Sequence, residues 1–422
     1  MEALGSFDDA KEATREKYDE VLQEISKELQ ELMYERKQLF KAGKPSGDID
    51  RGIQNSLDND VIAVLAKRGF LPRYAFPLDT VTLETSWSRW DSKDVELSRD
   101  RMVAISEFAP GAQVIARKKV YTSAGLYIVG RADKPDHLWY SKCPGCEQIR
   151  TSLTQEPLLG HCEVCQKTIT AHQVMRFVEP KAFSIQMEKK KSAGERLRRT
   201  TLIRMRQGLT HFIDSVTDDE FMEQGGFRLA LKTSGHLFRY NLGIQGKGFV
   251  LCDWCGYSEA QHRYKSSKKH ERLRPSSGSS ECQNKYFGNK SLAYGHRFES
   301  HCLIVRPSFV CTSVESLAYA LRKGICNVLE VEPSDIGVSW RWLANRRQGN
   351  VGAEIVLYDL TPGGAGFVKE GQEQWDEVVK KAREACEKCG CKQACYDCLK
   401  DYSNQSYHEK LDRQKAIEAL PV

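Results

Sequence analysis

The sequence predicts an α+β protein in which sulfur-rich knuckles, rather than one large apolar interior, hold much of the chain in shape. Three observations carry that prediction. Short runs of β-branched and aromatic residues, bounded by Pro and Gly, recur at 74–85, 114–116 and 119–129. Residues 353–387 read as strand, glycine-rich turn and helix. Fifteen cysteines fall largely into close groups. The expected order is a long amphipathic helix (1–45), a small antiparallel β unit (46–135), a zinc ribbon (136–175), a basic segment with a second zinc knuckle (176–300) and a C-terminal mixed α/β zinc-binding domain (301–422).

Between residue 8 and Gly43 there is no Gly or Pro, and Leu22, Ile25, Leu29, Leu32 and Leu39 recur at a/d-like intervals interrupted by Arg36. That spacing predicts an amphipathic helix packed on this chain or on a partner. A short helix is expected near 58–67, then the strands of the β unit. Further on, a strand is expected over His301 to Pro307 and a helix over Ser313 to Arg322, and Trp340 and Trp342 alternate around Arg341 as on an edge strand. The run Ala353 to Asp359 is of strand length, stopped by Pro362-Gly363-Gly364, and Trp375, Val378, Val379 and Ala382 return at helical spacing.

Nothing at the N-terminus resembles a secretory signal, and no apolar run approaches the length of a membrane span. A soluble, cytoplasmic protein without a membrane partner or small-molecule substrate is expected. In a reducing compartment, paired C-x2-C spacings point to metal rather than to disulfides. Cys143-x2-Cys146 and Cys162-x2-Cys165, fifteen residues apart, have zinc-ribbon spacing: two knuckles presenting two thiolates each to one tetrahedral ion. Cys252-x2-Cys255 is a further knuckle whose second pair comes from His270 and Cys282, or from His262, His296, His301 or Cys302. Trp254, Tyr257 and Tyr264 interleave with its basic residues and suit either base stacking or packing round a small zinc core. Five cysteines then crowd into thirteen residues. Cys389, Cys391, Cys395 and Cys398 are the expected ligands, because Cys386 still lies in helical register. Cys302, Cys311 and Cys326 read as small buried apolar residues. Two to three structural Zn2+ ions are therefore expected, each fully protein-ligated and without the open position catalysis would need.

The strings YDLTPGGAGF, CGCKQACYDCL and NQSYHEKLDR, at 358–367, 389–399 and 404–413, resemble the MrfA-like zinc-binding (MZB) domain family. That family is found at the C-terminal end of DEAD/DEAH-type superfamily-two helicases, including repair and phage-defence helicases. RGFLPRYAFPLDTVTLE (68–84) and ISEFAPGAQVIARKKVYTSAGL (105–126) are similar to segments such helicases carry before this domain. The resemblance implies His270 and Cys282 as the second pair of the middle site. It also implies a helicase motor as partner and a role in antiviral defence or DNA repair.

The formal charge of +6 decides little, but its distribution is uneven. Lys189, Lys190, Lys191, Arg196, Arg198, Arg199, Arg204 and Arg206 face a single acid, Glu195, and Arg263, Lys265, Lys268, Lys269, Arg272 and Arg274 form a second cluster. Such runs are the footprint of phosphate-backbone binding, with DNA the expected ligand and RNA the alternative. Gly363, Gly364 and Gly366, at a strand–helix turn, are candidate phosphate-binding backbone. No G-x4-G-K-[ST] or DExH-like box occurs, so no ATPase motor is expected in this sequence and no catalytic residue is singled out. The expected function is a zinc-stabilised nucleic-acid-binding accessory subunit. The alternatives are a protein-binding scaffold and a metal-dependent nuclease using Glu354, Asp359 and Asp397, although no PD-(D/E)-x-K pattern supports the latter.

Overall fold

The computed structural model describes residues 80–85, 97–117, 119–128, 135–185, 191–192, 209–243, 245–260, 270–276, 279–282, 291–344, 351–361 and 363–421, with ten isolated positions between 11 and 37. The chain divides into two units, Met1–Asp79 with Gly130–Asp133, and Thr80–Val129 with Lys134–Val422. In the first, the ten isolated positions are each helical. The rest of the helix expected over 1–45, and the short helix at 58–67, lie outside the described residues.

The second unit is built on a large mixed sheet whose spine is two long strands, β1 (Phe227–Asn241) and β2 (Leu292–Pro307). They run antiparallel from Phe227 opposite Pro307 to Asn241 opposite Tyr294, with a register shift between Lys232 and Gly235. Beyond β2 lie β3 (Ile336–Ala344) and β4 (Val351–Asp359), β4 pairing with both β2 and β3. The other end of β2 pairs in parallel with Val174–Val178, which carries the hairpin Leu138–Lys142 and Ile149–Ser152. The strand expected from His301 thus begins nine residues earlier, at Leu292, and crosses the point dividing 176–300 from 301–422. Gly295 and Ser300 interrupt its β-branched run, which hides the upstream half from a pattern search.

One face of β1, β2 and β4 is covered by α1 (Val314–Leu329), α2 (Phe367–Glu373), α3 (Trp375–Glu387) and α4 (Arg413–Ala419). Ser313 caps α1 through its side chain on the Ser316 N–H, and burial of Val314, Leu317, Ala318, Leu321 and Ile325 sets its inner stripe. α1 and α3 cross so closely that a Cβ at Gly324 would stand 2.3 Å from the Val378 carbonyl oxygen, so only glycine fits there. Trp375 is fully buried edge-on to Phe227, which ties α3 to the sheet.

The smaller sheet orders Lys191–Ser192, Lys119–Leu126, Ala182–Ile185, Thr80–Glu84 and Leu97–Asp100, with Gln113–Ala116 beside Lys119–Leu126. It is antiparallel except where Thr80–Glu84 runs parallel to Ala182–Ile185. A helix, Arg101–Glu107, enters at the Asp100 cap, where the sequence had suggested only strands; tertiary burial of Ala104 and Ile105 selects it. Among the described residues no helix is long and apolar enough to cross a membrane.

Candidate metal centres

Three knuckles share one backbone geometry. The first cysteine of each accepts from the N–H four residues on: Glu147 to Cys143 at 3.1 Å, Gln166 to Cys162 at 2.8 Å and Gly256 to Cys252 at 2.9 Å. The same first cysteine donates its N–H to the carbonyl five residues on, at Gln148, Lys167 and Tyr257. Closing so tight a loop puts the fourth residue in the left-handed region, with φ of 60° at Glu147, 60° at Gln166 and 80° at Gly256. Both side chains of each C-x2-C pair are thereby aimed to one side.

The structure brings Cys143, Cys146, Cys162 and Cys165 together, with Cys143 Sγ 3.4 Å from Cys165 Sγ and Cys146 Sγ 3.6 Å from Cys162 Sγ. In the middle group, Cys252 Sγ lies 3.8 Å from Cys282 Sγ and Cys255 Sγ 3.2 Å from His270 Nε2. Glu271–Ser276 and Ser279–Glu281 form a hairpin that carries His270 and Cys282 side by side, with the Cys282 N–H on the His270 carbonyl at 3.0 Å. The alternatives for this pair sit elsewhere: His296 stacks on Phe298, His301 faces Asp359 and Cys302 is buried in β2, while His262 lies outside the described residues.

In the last group Cys389 Sγ lies 3.3 Å from Cys395 Sγ, and Cys398 Sγ 3.8 Å from Cys391 Sγ and 3.9 Å from Cys395 Sγ. Cys386 stands apart, fully buried at the end of α3, and Cys302, Cys311 and Cys326 are buried too. Arg413 secures this loop from α4, donating to the carbonyls of Cys391 at 2.7 Å and Cys386 at 3.2 Å.

The donor sets fit zinc. With Zn–S near 2.3 Å, the edge of a tetrahedron of thiolates is about 3.8 Å, whereas a disulfide needs about 2.05 Å. The closest sulfur pairs, at 3.3 to 3.9 Å, lie near the first value and far from the second. In the last group the Cys391 N–H and neighbouring thiols bring the Cys389 thiol down to about 7, whereas burial pushes the Cys391 thiol up to about 12; a bound cation would favour the thiolate at both. When bound, such an ion would cross-link its loop. Loaded with four protein donors it would have no position for water.

The sites are also tied to the sheets. His137 Nε2 lies 2.9 Å from Asp253 Oδ1, joining the strand before the first group to the middle knuckle. The Leu126 N–H donates to the Gly256 carbonyl at 2.8 Å, seating that knuckle on the smaller sheet. Tyr257 stacks on the His270 ring, a packing role, while Trp254 is exposed. Tyr264 lies outside the described residues.

The glycine turn is used internally. Gly363, Gly364 and Gly366 have φ of 80°, 82° and 95°, and their N–H groups donate to Glu299 O, Thr361 O and the Asp359 carboxylate. Asp359, fully buried, also accepts from the Val368 N–H at 3.0 Å. These three glycine amides therefore have protein acceptors, and the turn reads as a strand-to-helix reversal capped by Asp359 rather than as a phosphate cradle.

The three acids considered for a nuclease do not converge. Glu354 is buried between Arg306, at 2.8 Å, and Arg341, at 2.5 Å. Asp359 is five residues along the same strand on the opposite face, and Asp397 accepts from Cys395 Sγ at 3.6 Å. β3 is an edge strand among the described residues, yet Arg341 points inward to that ion pair, so the Trp340–Trp342 alternation marks its other face. Of the basic residues, Lys189, Lys190, Arg196, Arg198, Arg199, Arg204, Arg206, Lys268 and Lys269 lie outside the described residues. Lys191 begins a two-residue strand on the smaller sheet, and Arg272 is half-buried on the hairpin of the middle group.

Residues 317–399 match the MrfA Zn-binding domain (MZB) family, so the C-terminal region carries an MZB domain that ends on the last cysteine group. The chain is similar to the Druantia protein DruE of Escherichia coli (strain UMEA 4076-1), 23% identical over 405 residues, covering 86% of this chain and 22% of DruE. Among solved structures it is similar to the DUF1998 helicase MrfA bound to DNA, with a TM-score of 0.37 and 10% identity over 81% of this chain and 33% of that one. A second MrfA structure gives 0.30 and 10% over 79% and 34%. The chain thus spans about a fifth of DruE, at 22%, and about a third of the MrfA chains, at 33% and 34%.

Proposed function

We propose that this chain is a zinc-stabilised, nucleic-acid-binding module that works with a superfamily-two helicase motor in antiviral defence or DNA repair. The carrying observation is the convergence of twelve donors into three groups of four, the last at the end of the MZB domain. Each ion would stabilise its loop by on the order of ten kcal/mol, judging from structural zinc in small peptide hosts. The basic runs at 189–206 and 263–274 then grip phosphates on a scaffold that the metals keep rigid. The similarity to DruE and the MZB domain support the helicase context.

The test is elemental analysis of freshly purified protein followed by chelation. Two to three zinc ions per chain are expected, together with DNA binding that weakens steeply with salt and disappears when chelator unfolds the metal lobes. Native circular dichroism in strong chelator, with zinc shown to be gone, would sink the zinc reading. A binding isotherm indifferent to salt, or absent at low salt, would sink the nucleic-acid reading.

A further inference from the structure

One hollow among the described residues has no part in the metal centres. It is a cleft of about 390 Å³ between the Leu209–Phe212 strand, β1 and β3 on one wall and α1 with the segment 403–410 on the other. That volume is within the roughly 300–1,000 Å³ typical of small-molecule and cofactor sites. Its lining is aromatic and on balance cationic, with Lys142, Arg239, Arg322 and Lys410 against Glu147 and Glu315.

Arg239 reaches it from β1, its Nε buried without a hydrogen-bond partner, and Lys410 stands exposed at its rim. Arg322 is already committed: it is ion-paired with Asp401 and donates to Ser403 Oγ at 3.3 Å. Lys142 is paired with Glu147 at 3.1 Å, which leaves Arg239 and Lys410 as the cations for an anionic ligand and Glu315 as the acid on the α1 side. Tyr407, one turn from Lys410, meets Trp340 of β3 edge-on, with centroids 4.8 Å apart and planes at 66°, so the two rings form an aromatic corner between the walls. His211 on the floor is neutral at physiological pH, because burial holds it down at about 3, so it neither attracts nor repels charge there.

A buried, unpaired guanidinium nitrogen is costly unless something meets it. A phosphate site beside aromatic rings suits a nucleotide, and base stacking on such rings is tolerant of sequence. We propose that this cleft holds one nucleoside-monophosphate unit, its phosphate on Arg239 and Lys410 and its base against Trp340 and Tyr407. The inference rests on the nucleic-acid reading above and gives it a site the basic runs do not include.

The test uses the full chain, fluorescein-labelled dT12 and free dTMP, with Lys410→Glu, Arg239→Gln and Trp340→Phe as variants and melting temperature as the folding control. Lys410→Glu changes an exposed side chain and should fold normally. It should weaken dT12 binding by about tenfold and flatten the dependence of log affinity on log salt by about 1. Arg239→Gln should act in the same direction, and the quenching of intrinsic fluorescence by dT12 should vanish in Trp340→Phe. Displacement of dT12 by millimolar dTMP would identify a free nucleotide as a sufficient ligand. Quenching by dT12 alone would identify a strand, and either result sustains the proposal. Wild-type affinity in both charge variants would overturn the cleft and leave nucleic-acid binding standing. Failure of the wild-type chain to bind dT12 at low salt would overturn both.

Discussion

The ribbon at 143–165 and the cluster at 389–398 use the same four-thiol chemistry, but the surroundings differ. In the ribbon, Cys143, Cys146 and Cys162 with Ile169 form a small core of their own, and Gly160–His161 and Thr168–Ile169 supply only a two-residue hairpin. In the C-terminal cluster, Cys398 and Leu399 belong to the largest core among the described residues, alongside Trp375, Leu321 and Leu411. A bound ion would be the core of the first lobe, while in the second it would tie a loop into the main core. Loss of the ion should therefore stay local in one case and spread in the other.

The largest expected effect follows from that contrast. Cys398→Ser removes a ligand and places a polar group in the main core, so global stability should fall by several kcal/mol, towards the roughly ten kcal/mol ceiling of a structural zinc site. Hydrogen exchange should speed up across α1, α3 and α4. Cys146→Ser should speed exchange only in residues 143–170, because the flanking strand Leu138–Lys142 stays paired with Val174–Val178. If Cys146→Ser loosened α1 as much as Cys398→Ser does, the two sites would be equivalent and the comparison would fail.

Trp375→Ala asks whether packing alone seats the C-terminal cluster. The indole is fully buried against Phe227, and its truncation should cost about 3–5 kcal/mol in denaturant unfolding. Zinc content should stay at the wild-type value, since no ligand is touched. Loss of one ion with the tryptophan would show that the clamp depends on the core as much as the core on the clamp.

What the sequence discloses follows the same division. The three donor sets could be picked out because C-x2-C and C-x-C-x3-C spacings are local, and the strand–turn–helix around Asp359 was legible from Pro362 and the returning apolar period. The cleft was not: Arg239, Trp340, Tyr407 and Lys410 come from three distant segments, and only the pairing of β1, β2, β4 and β3 brings them together. The buried Glu354 with its two arginines was equally hidden, because a charged residue in a strand reads as solvent-facing until its partners are placed. The His270–Cys282 pair lay between these extremes, left open by spacing and narrowed by family resemblance.

Acid should separate the sheet from the metal lobes. Burial holds His296 down at about 3 against an ordinary value of 6.5. Its folded pKa is the lower one, so between those values the unfolded chain binds the extra proton, and stability declines as pH is lowered from about 6.5. One such histidine contributes a slope of about 1.4 kcal/mol per pH unit. His296→Phe should flatten unfolding free energy against pH by that amount, while thiolate protonation in the metal groups leaves its own acid dependence behind. An unchanged slope in the variant would mean that His296 is not held neutral by the sheet.

The smallest effect is expected at the fifth cysteine of the C-terminal run. Cys386 has the same sequence neighbourhood as the ligands, yet it occupies the last turn of α3, and burial pushes its thiol up to about 12. Its sulfur lies outside the group formed by Cys389, Cys391, Cys395 and Cys398, and its carbonyl is engaged by Arg413. Cys386→Ala removes one sulfur atom from a packed site and keeps the helix, so the loss should be about 1 kcal/mol with zinc stoichiometry unchanged. Cys389→Ala, three residues on, should instead release an ion. A stoichiometric loss of zinc from Cys386→Ala would move this residue into the donor set and shift the boundary between core and clamp by one turn of helix.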